Sequence, residues 1–248
     1  MPEGPSIVIL RELTAGLAGK VVREASGSTR TIDVERMRGR KVLAVASWGK
    51  HYLIQFDGFV LRVHFMLFGS YAVDAAEDDR VPRLHLGFAR GRQLNFYACS
   101  VRYVEGAIED SYDAATDVMA DAWNPRAALK KLRARPDALV ADALLDQDIF
   151  AGVGNIIKNE VLFRVRVHPE SRVGALPAAR LRELVRQARE YSFDFLRWKK
   201  AFVLRRHWQV HARTHCPRDG TRLSYRKHLG AKQRRAFWCD ACQKRYGH

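Results

Sequence analysis

The sequence predicts an α+β protein of two lobes: a β-sandwich preceded by a helix, then a helical lobe that ends in a small metal-binding finger. Three observations predict it. Residues 20–105 hold short β-rich runs separated by turn formers. Helical periodicity takes over after about residue 125. Three of the four cysteines, Cys216, Cys239 and Cys242, crowd the C-terminal region, where a reducing compartment favours metal over disulfide.

Pro5 suits the first turn of a helix expected over about 5–17. The runs 42–46, 51–56, 59–64 and 94–98 are rich in β-branched and aromatic residues, with Asp57-Gly58 and Arg90-Gly91 as punctuation. That spacing suits a sandwich. Residues 110–124 read as a connection, followed by helices at about 125–134, 137–145, 155–163 and 177–196. The last carries Leu181, Leu184, Val185 and Ala188 on one face. Beyond about 207 the chain is basic, turn-rich and cysteine-bearing.

The 248 residues are enough for one large domain or two small ones, and 47% hydrophobic content places them among globular rather than disordered chains. No apolar run approaches the about 20 residues of a membrane span. Glu3 stands where a signal peptide would carry positive charge, so a cytoplasmic protein, monomeric and without membrane association, is expected. The net charge of +16 points to a polyanionic partner. Fifteen Lys or Arg against Asp219 and Asp240 fall between Arg197 and His248, interleaved with Trp198, Trp208, Tyr225, Phe237 and Trp238. These charges lack an amphipathic helical period, which favours nucleic acid over an anionic membrane.

Four motifs could carry chemistry. Removal of Met1 from Met1-Pro2-Glu3-Gly4-Pro5 would leave Pro2 as a free secondary amine beside a carboxylate. An α-amino group titrates at roughly 7.7–8 against about 10.4 for lysine, so a sizeable fraction is nucleophilic at cellular pH. Attack on a sugar aldehyde carbon would give an iminium, a strong electron sink. The plainer alternative is a proline-initiated helix. In Gly152-Val153-Gly154-Asn155-Ile156-Ile157-Lys158, two glycines form a turn from which a helix starts. Its backbone N–H groups, Asn155 and Lys158 could receive a phosphate.

Cys216-Pro217-Arg218-Asp219 and Cys239-Asp240-Ala241-Cys242 have the spacing of a zinc ribbon, with Asp219, His215 and His228 as rival fourth ligands. Between them Lys232-Gln233-Arg234-Arg235 would form a basic finger on a hairpin. Finally, His64-Phe65-Met66-Leu67-Phe68-Gly69 would place Met66, Leu67 and Phe68 at a strand turn, where apolar side chains can wedge between bases.

Together and in this order, these motifs resemble the formamidopyrimidine-DNA glycosylase / endonuclease VIII family of base-excision repair enzymes, and the Met-Pro-Glu-Gly-Pro opening is nearest the endonuclease VIII branch. The resemblance implies a catalytic β-sandwich domain over 1–110, a linker over 111–124, a helix-two-turn-helix domain over 125–206 and a zinc-finger module over 207–248. It further implies Pro2 as nucleophile at C1′ of the damaged nucleoside and Glu3 as the acid that helps open the sugar. Lys50 would approach the phosphate beside the lesion and Arg234 would assist δ-elimination. Asn155 would bind backbone phosphate, and Met66, Leu67 and Phe68 would fill the gap left by a flipped nucleotide. One structural zinc per chain, on Cys216, Asp219, Cys239 and Cys242, and a duplex partner with damaged bases or abasic sites complete the expectation.

The chain departs from the family pattern at Ser6, where glutamate is common, at Asp117, where an arginine is often found, and at Asp219, a zinc cysteine elsewhere. The expected activity is that of a bifunctional glycosylase and AP lyase for oxidised bases, pyrimidines favoured, working by a proline Schiff base and β,δ-elimination. A lyase without glycosylase action, or a non-catalytic binder of damaged DNA, is the alternative. A pure binder would have no need of Pro2, Glu3, Lys50 and Arg234 together.

Overall fold

The computed structural model describes residues 2–76 and 80–247. They form two compact units, Met1–Asp113 and Ala114–His248.

The first unit opens with α1 (Gly4–Thr14), which has Pro5 in its first turn and ends in a 3₁₀ turn at Ala15–Leu17. Its buried Ile7 and Leu10 lie on the side that packs against the sheet. Thr14 fastens the far end: its hydroxyl donates to Leu10 O at 2.7 Å and accepts from the Tyr52 hydroxyl at 2.8 Å. The strands are β1 (Glu24–Ser26), β2 (Ala44–Trp48), β3 (His51–Phe56), β4 (Phe59–Val73), β5 (Leu84–Gly87) and β6 (Gln93–Glu105). They pair antiparallel in the order β1-β5-β6-β4-β3-β2, so the sandwich is one continuous sheet. Tyr52, Ile54 and Phe56 from β3 share a core with Leu61 and Val63 from β4 and with Leu86 and Phe96 from β5 and β6. The period of two leaves His51, Arg62 and His64 on the other face. The four-residue helix α2 (Ile108–Ser111) follows β6.

The run expected over 59–64 continues to Val73, because β4 absorbs a large bulge instead of ending in a turn. The register jumps from Phe65↔Cys99 to Ser70↔Tyr97, leaving residues 66–69 opposite Ala98 alone. Ala98 takes a left-handed φ of 46° to accommodate this. Strands β1 and β5 went unseen in the sequence because three or four residues give alternation too little length to register.

In the second unit, α3 (Pro125–Arg133) starts at an Asn124 cap whose Oδ1 accepts from Arg126 N and Ala127 N. Then come α4 (Val140–Leu144), α5 (Asn155–Arg164) and the 23-residue α6 (Ala178–Lys200). Helix α4 is shorter than the sequence suggested because Leu139 is drawn into an extended bridge with Arg172. The unit closes with the hairpin β7 (Ser224–Leu229) and β8 (Arg234–Trp238). Ala236 and Trp238 lie in the same core as Leu144, Ile157, Leu184 and Tyr191, so the finger and the helices consolidate together. Among the described residues, no helix is long and apolar enough to cross a membrane.

Candidate nucleic-acid interface and metal centre

At the start of the chain Pro2 is half-buried and Glu3 is 3% exposed. Glu3 is the N-cap residue of α1, and its carbonyl accepts from Ser6 N at 2.8 Å. No acidic residue lies in the first turn of α1, and Ser6 is buried there. The carboxylate of Glu3 is therefore the acidic group that the local sequence sets beside Pro2, at the end of the helix where the dipole favours negative charge.

Helix α1 packs on β2 and β3, and Lys50 lies in the turn that joins those strands. The turn is only Gly49-Lys50, with Trp48↔His51 as the last pair, and Gly49 supplies the positive φ of 54° that so tight a reversal needs. His51 pairs with His64 across β3 and β4, their rings 5.3 Å apart edge to face. Trp48 and Tyr112 pack on His51 and on each other, and Tyr112 is hydrogen-bonded by Arg62. Burial drives His51 down to about 3, with the charges of Arg62 and Lys50 adding to the effect, and burial beside Lys50 lowers His64 as well. At neutral pH both rings are uncharged, and the positive charge of this face rests on Lys50 and Arg62. The sequence reading found Lys50 but not its neighbours. The alternation of Arg62 and His64 on β4 was the available signal.

The bulge in β4 presents Met66, Leu67 and Phe68 at 53%, 54% and 82% exposure. Gly69 closes it, where a Cβ would stand 2.8 Å from Phe65 Cβ and 2.9 Å from Ala98 O. Three apolar side chains thus project from a backbone fixed by strand pairing on both sides.

In the second unit Gln147 holds the glycine turn, accepting from Gly152 N at 3.1 Å and donating to Val153 O at 3.2 Å. Gly152 sits at φ 100°, and Gly154 caps α5 without a side chain. Asn155, first in α5, is half-buried. Lys158, expected beside it as a phosphate contact, is 1% exposed, and its ammonium donates to Asn155 Oδ1 at 3.0 Å and Arg235 O at 2.8 Å. The next two residues are buried as well. Asn159 Nδ2 donates to His211 Nδ1 at 2.9 Å, and its Oδ1 accepts from Phe237 N. Glu160 accepts from Gln209 N, Val210 N and His211 N at 2.7–3.0 Å. Burial raises the Glu160 pKa while those three N–H groups oppose the rise. Burial also drives His211 down to about 4, aided by Lys158 and Arg235. Asp117 is 3% exposed and its Oδ1 accepts from Met119 N at 2.8 Å, a local turn.

The finger hairpin is seated on α4. The Asp142 carboxylate accepts from Ala231 N at 2.8 Å and Lys232 N at 3.0 Å, and a Cβ at Gly230 would run into that carboxylate. Arg234, half-buried, and Arg235, exposed, open β8 immediately after this tip.

Ligand atoms of Cys216, Asp219, Cys239 and Cys242 all lie within 4.8 Å of one another. Cys216 Sγ is 3.7 Å from Cys242 Sγ, and Asp219 Oδ2 is 3.0 Å from Cys242 Sγ and 3.3 Å from Cys239 Sγ. A tetrahedral ion with sulfur at about 2.3 Å and oxygen at about 2.1 Å puts its ligands roughly 3.5–3.8 Å apart, so the cluster fits one after a slight expansion. Thr221 donates from both its N–H and its hydroxyl to Asp219 Oδ1, which turns Oδ2 inward. The bond from Cys242, with those from Thr221, holds the Asp219 carboxyl below the usual range, and the same carboxylate pushes the Cys242 thiol up to about 12. Of the rival ligands, neither His215 nor His228 belongs to the cluster, and His215 Nδ1 is 3.1 Å from Thr214 Oγ1.

Comparison with known proteins identifies the family and the fold. Residues 1–99 match the formamidopyrimidine-DNA glycosylase N-terminal domain and residues 115–192 the formamidopyrimidine-DNA glycosylase H2TH domain. The chain is 31% identical to the probable endonuclease 8 2 of Streptomyces coelicolor over 98% of its own length and 94% of that protein. It is 29% identical to endonuclease 8-like 3 of Xenopus laevis, again over 98% of the chain but only 41% of that longer protein. In fold it is similar to the Lactococcus lactis formamidopyrimidine DNA glycosylase solved non-covalently bound to DNA containing an AP site. There the TM-score is 0.84 at 20% identity, covering 98% of this chain and all of the other.

Proposed function

The chain belongs to the formamidopyrimidine-DNA glycosylase / endonuclease VIII family of base-excision repair glycosylases, and from that premise we propose that it is a bifunctional DNA glycosylase and AP lyase acting on oxidised bases in duplex DNA, with pyrimidines favoured. The observation that carries this reading is the pairing of Pro2 with the buried carboxylate of Glu3 at the head of α1, the helix packed on the strands whose turn bears Lys50.

With Met1 removed, the freed Pro2 amine attacks C1′ of the damaged nucleotide, and Glu3 delivers the proton that lets the sugar ring open as the base leaves. The resulting iminium acidifies the C2′ protons, and loss of one expels the 3′ phosphate. Lys50, beside Arg62 and two uncharged histidines, neutralises that phosphate. Arg234 does the same for the 5′ phosphate in the second elimination. Met66, Leu67 and Phe68 occupy the space of the extruded nucleotide, whose unstacking costs least when the base is damaged. Asn155 holds a backbone phosphate. A zinc ion on Cys216, Asp219, Cys239 and Cys242 is structural in this scheme, one per chain, and fixes the hairpin that carries Arg234.

Borohydride trapping on a duplex with an abasic site tests the amine chemistry. Wild type is expected to form a covalent adduct, lost when Pro2 is replaced by an N-acetylated residue. No adduct from wild type, or equal adduct from the acetylated variant, sinks the mechanism. Excision assays on thymine glycol, dihydrouracil and 8-oxoguanine duplexes then test the preference for pyrimidines and separate a glycosylase from a lyase alone.

A further inference from the structure

Lys158 has three donors and no acceptor, so whichever atom of the Asn155 amide faces it must be the oxygen. The 3.0 Å contact is to Oδ1, and the planar amide therefore turns Nδ2, a pure donor, away from Lys158. The same buried ammonium donates to the carbonyl of Arg235, next to Arg234 in β8. A lysine only 1% exposed is poorly placed to reach a phosphate itself, and it occupies a position where desolvating an ammonium is costly unless its donors are satisfied. Of its two successors on α5, Asn159 serves the same strand, accepting from Phe237 N, while Glu160 gathers the N–H groups of residues 209–211. Lys158 and Asn159 thus tie α5 to the arginine-bearing strand.

We propose that Lys158 is a positioning residue: its ammonium, seated under β8 by the Arg235 carbonyl, orients the Asn155 amide with its N–H groups outward, so that the Asn155 donor meets the DNA backbone. The assignment rests on the reading of Asn155 as a phosphate contact. It removes Lys158 from direct contact with DNA and gives it an indirect part in binding.

Salt dependence separates the two roles. A lysine that neutralises a phosphate contributes about 0.9 to the slope of log K against log[salt], whereas a buried lysine that aims an uncharged amide contributes nothing to it. Affinity for a duplex carrying a tetrahydrofuran abasic analogue, measured across a salt series, is expected to fall about tenfold in Lys158→Met with the slope unchanged. Lys158→Arg, which keeps donors for both acceptors, is expected to recover most of the affinity. In an Asn155→Ala background, Lys158→Met is expected to cost clearly less than tenfold, because part of its effect passes through the amide. A slope lower by about one, or a full tenfold loss retained in the Asn155→Ala background, overturns the proposal.

Should Lys158→Met fail to fold, the wild type carries the test through its side-chain ¹⁵N signals. On titration with the same duplex, Asn155 Nδ2 is expected to shift and Lys158 Nζ to stay put. A shifted Lys158 Nζ beside an unmoved Asn155 overturns the assignment. These are binding measurements on an uncleavable duplex. A protein that binds as described but traps no borohydride adduct would refute the lyase reading and leave the role of Lys158 standing.

Discussion

Asp219 shows how one side chain can be committed at both oxygens: Thr221 occupies Oδ1 and the cysteine cluster faces Oδ2. Asp219→Ala is expected to lower zinc stoichiometry below one per chain by elemental analysis. Thr221→Ala, which frees the carboxylate without removing it, should weaken zinc by about 10–100-fold in chelator competition. Full occupancy in Asp219→Ala would return the fourth position to a histidine. The titration of His51 makes a second prediction at this scale. Its folded value of about 3 lies below the ordinary 6.5, so between those values the unfolded chain binds a proton that the folded chain refuses. Stability therefore falls as pH drops from about 6.5 towards about 3, with a slope of up to about 1.4 kcal/mol per pH unit from this group. His51→Phe keeps a ring among Trp48, His64 and Tyr112 and removes the proton. Its urea midpoint should change less between pH 7 and pH 5 than that of wild type. An equal change in both proteins would show that the acid sensitivity lies elsewhere.

At the scale of elements, the β4 bulge makes the sharpest mechanical claim. Gly69→Ala forces a Cβ against Phe65 and the Ala98 carbonyl and should cost about 1–3 kcal/mol, read as a lowered denaturation midpoint. Replacing Met66, Leu67 and Phe68 together by alanine should leave that midpoint nearly unchanged, since these side chains are mostly exposed. Fluorescence of 2-aminopurine opposite a lesion should report weaker base extrusion in the same variant. The contrast also shows what the sequence could reveal. The apolar run at 65–68 was legible as an anomaly, and the alternation of β3 gave that strand its observed bounds. That the anomaly is a bulge, with the ladder resuming at Ser70↔Tyr97, depends on pairing with residues about thirty positions away, which local patterning does not encode. In the same way, the four-residue spacing of the Gly152–Asn155 turn was readable, while the burial of Lys158 was not. A lysine one helical turn into α5 looks like a surface charge until β8 is laid over it.

For the whole molecule, the charge of +16 and the cysteine–aspartate cluster set the terms. Binding to undamaged duplex should weaken steeply between 50 and 200 mM salt, by about 10³-fold or more if six or more phosphates are neutralised. A loss below tenfold would mean that most of this charge faces away from DNA. Chelation of zinc should lower the thermal stability of the second unit, whose helical core includes Ala236 and Trp238 from the finger. The first unit should keep its own transition. A protein that melts identically with and without chelator would show that no structural metal is held. The basic composition and the spacing that brings Cys216, Asp219, Cys239 and Cys242 together were legible from residues alone. The consolidation of finger and helices by Asp142, Lys158, Asn159 and Glu160 was hidden, because each contact joins residues about fifty to ninety positions apart.

The bulge between Phe65 and Ser70 also bears on how such a protein can change over generations. Its backbone is secured by glycine and by strand pairing on either side, and the three side chains it displays take little part in the buried core. Mutations at Met66, Leu67 and Phe68 can thus accumulate without a toll on folding, while those at Phe65 or Gly69 cannot. Three adjacent codons can therefore vary while the scaffold stays as it is.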